Sequence, residues 1–127
     1  MKNKYLAILS AFLLTVIVSI SCNGLSRTVA LLEFKPDTLP NAQMGALYET
    51  EIHVSKNDTA VANFRIINGA LPAGLKLVEG EGANTAKISG TPEETGTFTF
   101  TVRVWCYAQR FHQGQTGEKE YEIVVEK

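Results

Sequence analysis

Eleven consecutive residues, 97–107 (TFTFTVRVWCY), alternate without a break. Phe98, Phe100, Val102, Val104 and Cys106 fall on one side, and Thr97, Thr99, Thr101, Arg103, Trp105 and Tyr107 on the other. A period of two belongs to a strand with one face on a core, and a helix of period 3.6 cannot satisfy it. The same period runs through residues 46–55 (ALYETEIHVS), where Tyr48, Thr50, Ile52 and Val54 share a face. It returns in residues 118–127, with Tyr121, Ile123 and Val125 against Glu120, Glu122, Val124 and Glu126. Residues 29–34, 62–67, 74–78 and 86–89 supply shorter strands, with Phe64 and Ile66 inward. Nothing past residue 28 carries a helical period. Several short strands with regular turn signals predict an all-β sandwich of about seven strands.

Between the shorter strands stand two phrases rich in Pro and Gly, LPAGL (residues 71–75) and SGTP (residues 89–92). Proline has no N–H and a fixed φ, so Pro72 and Pro92 must sit where no ladder bond is lost. Gly74 and Gly90 permit backbone angles that a side chain forbids. Together they are devices for leaving one sheet and entering the other at a set angle, with Leu71, Leu75 and Leu77 filling the core beneath. Residues 39–45 (LPNAQMG) and 56–59 (KNDT) read as loops.

In order and spacing, Gly69, Leu71, Pro72, Gly74, Leu75, Ile88, Gly90, Thr91, Pro92, Gly96 and Phe100 resemble the bacterial putative-Ig family, the dystroglycan-type cadherin-like domains. The resemblance runs strongly from Leu39 to Val104 and loosely through the last strand. It implies an Ig-like or cadherin-like sandwich, a binding and spacing module with no reaction attached. Cadherin-like relatives hold calcium between repeats through clustered acidic motifs. This chain has one copy and no DxD phrase, and Glu93-Glu94 reads as a solvated pair.

The N-terminus has a different character. Lys2 and Lys4 precede an uncharged apolar run, residues 6–21, which reads as a signal peptide. Cys22 follows at once, and the junction resembles the lipobox of bacterial lipoproteins, with Ile20 and Ser21 before the cut and Ser19 where Leu is usual. An uncleaved anchor and an ordinary cleaved signal are the other readings. The resemblance implies cleavage before Cys22, acylation of its thiol and amine by chains such as palmitate, and a lipid-anchored envelope protein. Asn23 is not the Asp that retains enteric lipoproteins at the inner membrane, so the outer membrane is the expected address. The expected organisation is therefore a signal in residues 1–21, a lipidated Cys22 and tether in residues 22–28, and an Ig-like sandwich in residues 29–127.

Composition narrows the partners. Without Lys2 and Lys4 the mature part holds 10 Lys and Arg beside 13 Asp and Glu, a net charge of −3. No basic block offers a nucleic-acid surface. With Cys22 acylated, Cys106 has no disulfide partner; it falls on the inward face as a small hydrophobe. About 100 residues bury a workable core without a staple.

Candidate chemistry is sparse. Glu51, His53 and Ser55 share a strand face, but neighbours two apart stand roughly 6.6 Å along a strand, beyond the ~2.6–3.2 Å of catalytic partners. His112 has no paired carboxylate or cysteine nearby in the sequence. No enzyme, cofactor or metal is expected. The candidate binding patch is Trp105, Tyr107, Arg110 and Phe111, aromatics flanked by arginine. For Trp105 the plainer expectation is that it covers the core edge, as sandwich tryptophans do. For the loop 108–117, binding and simple disorder stand level. Asn57-Asp58-Thr59 is a formal glycosylation sequon, and Asp37-Thr38-Leu39 and Asp58-Thr59-Ala60 are similar to a short O-glycosylation motif of exported bacterial proteins.

The expected function is protein binding or assembly at a membrane of the cell envelope, adhesion included. A carbohydrate-binding accessory of a polysaccharide uptake system, taking glycan, is the alternative, and a purely structural spacer is the third. An edge-strand adhesin would have to overcome the acidic last strand, Glu118, Glu120, Glu122 and Glu126, expected to blunt its edge.

Overall fold

The structure is a computed structural model that describes residues 31–80 and 84–127. The expected signal, Cys22, the tether and the first two residues of the expected domain lie outside the described residues. Eight strands follow in order: β1 (Glu33–Lys35), β2 (Ala42–Gln43), β3 (Tyr48–Ser55), β4 (Val61–Gly69), β5 (Leu75–Glu79), β6 (Thr85–Gly90), β7 (Gly96–Cys106) and β8 (Thr116–Glu126). They form two four-stranded sheets, ordered β1-β3-β6-β5 and β2-β8-β7-β4. Every pairing is antiparallel except β2 with β8, which is parallel. The sandwich inferred from alternation is present, with the first strand beginning later than expected and one additional strand, β2.

Alternation does the packing. Ile52, Val54, Ile88, Phe100, Val102, Val104, Cys106 and Ile123 are sealed between the sheets. Phe64, Ile66, Leu71, Leu77 and Phe98 pack around them as partly buried residues. Phe100 lies against the ring of Tyr121, centroids 6.2 Å apart.

The two Pro/Gly corners carry the chain between sheets, LPAGL from β4 to β5 and SGTP from β6 to β7. Both prolines are fully buried. The corners also lock onto each other. Leu75 pairs with Gly90, and the Glu93 amide donates to the Ala73 carbonyl at 2.9 Å. Pro92 uses its carbonyl to accept from the Gly45 amide at 2.9 Å.

A second device ties the link from β1 to β2. Tyr48 donates its hydroxyl to the Pro40 carbonyl at 2.9 Å, and Tyr121 donates to the Pro36 carbonyl at 3.0 Å. Leu39 is buried between these points, so the link closes the side of the sandwich. Burial pushes both phenols up to about 12, with nearby Asp37 adding to the effect at Tyr121.

The acidic strand β8 is an edge over most of its length, as its glutamates suggested, because its outer neighbour β2 is two residues long. It pairs with β7 along its whole length and with β2 at Val125 and Glu126. The outer strands of that sheet are β2 and β4.

Candidate recognition surface

Strands β3, β6 and β8 each have one end at the same pole of the sandwich. There the β3–β4 loop and the β7–β8 hairpin meet. Thr59 is buried, and its hydroxyl donates to the Tyr107 carbonyl at 2.5 Å while the Tyr107 amide donates to the Ala60 carbonyl at 3.0 Å. Gln115, also buried, accepts from the Asp58 amide at 2.6 Å and donates to the Lys56 carbonyl at 3.4 Å. Asn84 joins the same cluster, donating to Asn57 at 3.4 Å and accepting from the Val61 amide at 3.3 Å. The hairpin loop is accordingly pinned at its base. Its tip closes through reciprocal bonds between Gln109 and His112 at 2.9 and 3.0 Å, which puts Arg110 and Phe111 at the apex.

This arrangement settles where two modification motifs stand. Thr59 is the acceptor of the second O-glycosylation motif, and its buried, bonded hydroxyl is out of reach in the folded domain. The acceptor of the sequon is Asn57, half-buried and donating to the Thr59 carbonyl at 2.8 Å. Thr38 is exposed.

A polar clamp of this kind makes a measurable prediction. Gln115→Ala strands the Asp58 amide without its acceptor, at a cost of about 1–3 kcal/mol. Amide exchange at Cys106 and Tyr107 should accelerate before that of the β7 centre. An unchanged melting profile and exchange pattern would remove the clamp from the account.

The predicted patch separates into two regions. Trp105 stands on the outer face of β7, opposite Asn63 of β4 and Thr116 of β8. It is 52% exposed, so it does not seal the core edge; Val104 and Cys106 on either side face inward and do that. Its ring lies 6.2 Å from that of Tyr107 at 44°, leaving both rings half open. Two rungs along, Arg103 and Arg65 face each other across β7 and β4. Arg103 is held by Glu118, its two nitrogens 2.6 and 2.7 Å from one carboxylate oxygen. Arg65 has no ion pair or hydrogen bond among the described residues. Asn63, Arg65, Ile67, Arg103, Trp105 and Thr116 line a shallow depression on the rigid sheet.

Arg110 and Phe111 do not join that depression. They project from the pole, and Phe111 is 90% exposed. Arg65 was not singled out by sequence reasoning. Its signal was the alternation of Asn63, Arg65 and Ile67 against Phe64 and Ile66, but only the pairing of β4 with β7 brings it beside Trp105.

The other candidates are also placed. Glu51 and His53 point to solvent from β3, opposite Lys87 and Thr85, and Ser55 lies opposite Glu33. Cys106 is buried, which pushes its thiol up and away from reactivity. Glu93 and Glu94 are exposed; Glu94 accepts from the Ala73 amide at 3.5 Å and so belongs to the corner. Among the described residues no cluster of His, Cys, Asp and Glu is arranged to hold a metal. Leu71, Pro72, Gly74, Leu75, Gly90, Thr91 and Pro92 all lie at or beside the opposite pole, in the interlocked corners.

A family model described as the putative Ig domain matches residues 31–126. Nothing among curated proteins matches the chain. Among solved structures, a mutant of the SrpA adhesin from Streptococcus sanguinis superposes with a TM-score of 0.54 at 15% identity. That likeness covers 76% of this chain and 57% of the adhesin, so the chain spans little more than half of the other's length. The PapD-like domain of human CEP192 superposes with a TM-score of 0.50 at 13% identity, covering 76% and 85% of the two chains. At these identities the likeness is one of fold.

Proposed function

The chain belongs to the putative Ig domain family, and from that premise we propose that it is a non-enzymatic binding module held at a membrane of the bacterial envelope by an acylated Cys22. The outer membrane is the favoured address, for want of an Asp after the cysteine. The partner is an envelope protein, and the face that takes it is the β4–β7 surface around Trp105 and Arg65.

One observation carries this reading: a half-exposed tryptophan beside an arginine that has no ion partner among the described residues, both on one sheet. Trp and Arg dominate the energetics of interfaces because they offer large area and directional charge at low entropic cost. The pinned hairpin and the exposure of both Trp105 and Phe111 support binding over a passive spacer. An acyl anchor keeps the domain at high local concentration, so modest affinity suffices. A glycan is the second reading, favoured by the open Trp105 ring with Asn63 and Arg65 as polar neighbours.

The test uses the tagged full chain as bait against detergent-solubilised envelope and, separately, a polysaccharide panel. Retention of one envelope protein, weakened at least about thirtyfold by Trp105→Ala with Arg65→Ala, is the expected result. Retention of a glycan with the same sensitivity moves the assignment to carbohydrate. Binding of neither leaves a spacer.

A further inference from the structure

The place where the chain enters the sandwich has a consequence for the second half of the predicted patch. Strand β1 begins at Glu33, which pairs with Ser55 and forms an ion pair with Lys56 at 3.2 Å, so it starts at the pole of the β3–β4 loop. Leu32 packs beside Gly117 at the base of the β7–β8 hairpin, where a Cβ on that glycine would lie 3.0 Å from it. The N-terminal segment therefore approaches the domain at the pole that carries Arg110 and Phe111. The Pro/Gly corners and the C-terminal end of β8 lie at the other pole.

Nine residues, 23–31, connect Cys22 to that entry point. Fully extended, they let Cys22 stand no more than about 36 Å from Leu32. The hairpin reaches outward from its base at Gly117 to a closed turn at Gln109–His112. A leash attached at this pole keeps the hairpin tip within reach of the bilayer.

Resting on the acylated Cys22 proposed above, we infer that the Arg110–Phe111 tip is a membrane-interface contact whose ligand is the phospholipid surface. Phe111, almost wholly exposed at a turn, enters the boundary between headgroups and acyl chains. Arg110, with no ion pair or hydrogen bond among the described residues, meets headgroup phosphate. Leu31, 86% exposed at the entry point, adds a second apolar contact. The contact fixes the domain upright, and the Trp105–Arg65 face then looks sideways along the membrane, where an envelope protein can reach it.

The experiment uses the acylated mature chain, from Cys22 onward, reconstituted into vesicles of phosphatidylethanolamine with a minority of phosphatidylglycerol, their acyl chains brominated. The tip is reported by Phe111→Trp in a Trp105→Phe background, with the parent protein and its single tryptophan as the lateral control. The tip reporter should lose roughly half of its emission to the bromine, as a ring buried about 5–10 Å into the interface would. Trp105 in the parent should lose little. A protein that floats with the vesicles while the tip reporter stays unquenched overturns the lipid contact and leaves the anchor standing. A tip shielded from aqueous iodide only after envelope proteins are added overturns it in favour of a protein partner. Failure of the parent to float, with Cys22→Ala behaving identically, removes the anchor and the contact together.

Discussion

Gly74→Ala lowers the stability of the domain by about 3–5 kcal/mol, and Gly90→Ala does much the same. Gly74 sits at φ +93° and Gly90 at φ +141°, angles that L side chains rarely adopt. The backbone penalty alone is about 1–2 kcal/mol. Crowding adds the rest. A Cβ on Gly74 would collide with the Thr91 carbonyl oxygen, and one on Gly90 with the carbonyl oxygen of Gly74 itself. Neither obstacle is a side-chain end that can swing away; both are backbone of the opposite corner. Moving either corner disturbs the Glu93–Ala73 and Gly45–Pro92 bonds and the seats of two buried prolines.

Gly45 is the control, because its φ is also positive, +76°, yet a Cβ there meets nothing within 4 Å. Gly45→Ala should cost only about 1 kcal/mol. In a domain of this size about 1 kcal/mol moves the melting temperature by roughly 4–8 °C. Thermal melts should accordingly separate the corner variants from Gly45→Ala by more than about 10 °C. Equal shifts at all three positions would mean that backbone conformation, not the contact between corners, sets the cost.

The second large effect appears in alkali. Tyr48 and Tyr121 are almost fully buried and donate to proline carbonyls, and burial pushes their phenols to about 12, against about 10 when unfolded. A group whose pKa is raised by folding stabilises fully below its unfolded value and loses that contribution as pH rises through its folded value. Stability should therefore hold to about pH 10 and fall between about pH 10 and pH 12. Raised pKa values at both tyrosines put the alkaline loss on the order of a few kcal/mol in all. The carbonyls of Pro36 and Pro40 would lose their donors in the same interval, releasing the link between β1 and β2 from the sandwich. Denaturant unfolding at several pH values reads the slope. Tyr48→Phe with Tyr121→Phe should flatten it, while costing about 1 kcal/mol per lost hydrogen bond at neutral pH. A double variant with the same alkaline slope as the parent would take the loss away from the tyrosines and leave the buried Cys106 thiol, also pushed up by burial, as its source.

Much of the core was legible because burial in a strand leaves a local trace. Phe100, Val102, Val104 and Cys106 announce an inward face by spacing alone, and all four are buried. The corners were legible for the same reason: Pro and Gly restrict or free φ at their own positions, without reference to neighbours. The strand β2 left no such trace. Two residues carry no period, and the bond from the Met44 amide to the Glu126 carbonyl at 2.8 Å joins residues far apart in the chain. The same holds for Gln115. In a polar loop it reads as solvated, and only the arrival of the β3–β4 loop makes it a buried clamp.

For the candidate surface the division is similar. Alternation places Trp105 on the outer face of its strand, but whether that face is covered depends on what packs there. Cross-strand pairing then chose Asn63 and Arg65 as its neighbours and sent Phe111 to a separate pole. By itself, the sequence determined every strand but β2, the inward faces of the long strands, the inter-sheet corners and an apolar N-terminal run ending at Cys22, because each is written in the types and spacing of adjacent residues. Tertiary structure alone decided which strands are edges, which tyrosines staple the β1–β2 link, which arginine flanks the tryptophan, and at which pole the chain enters. Each of these depends on contacts between residues distant in sequence, and no local period encodes such contacts.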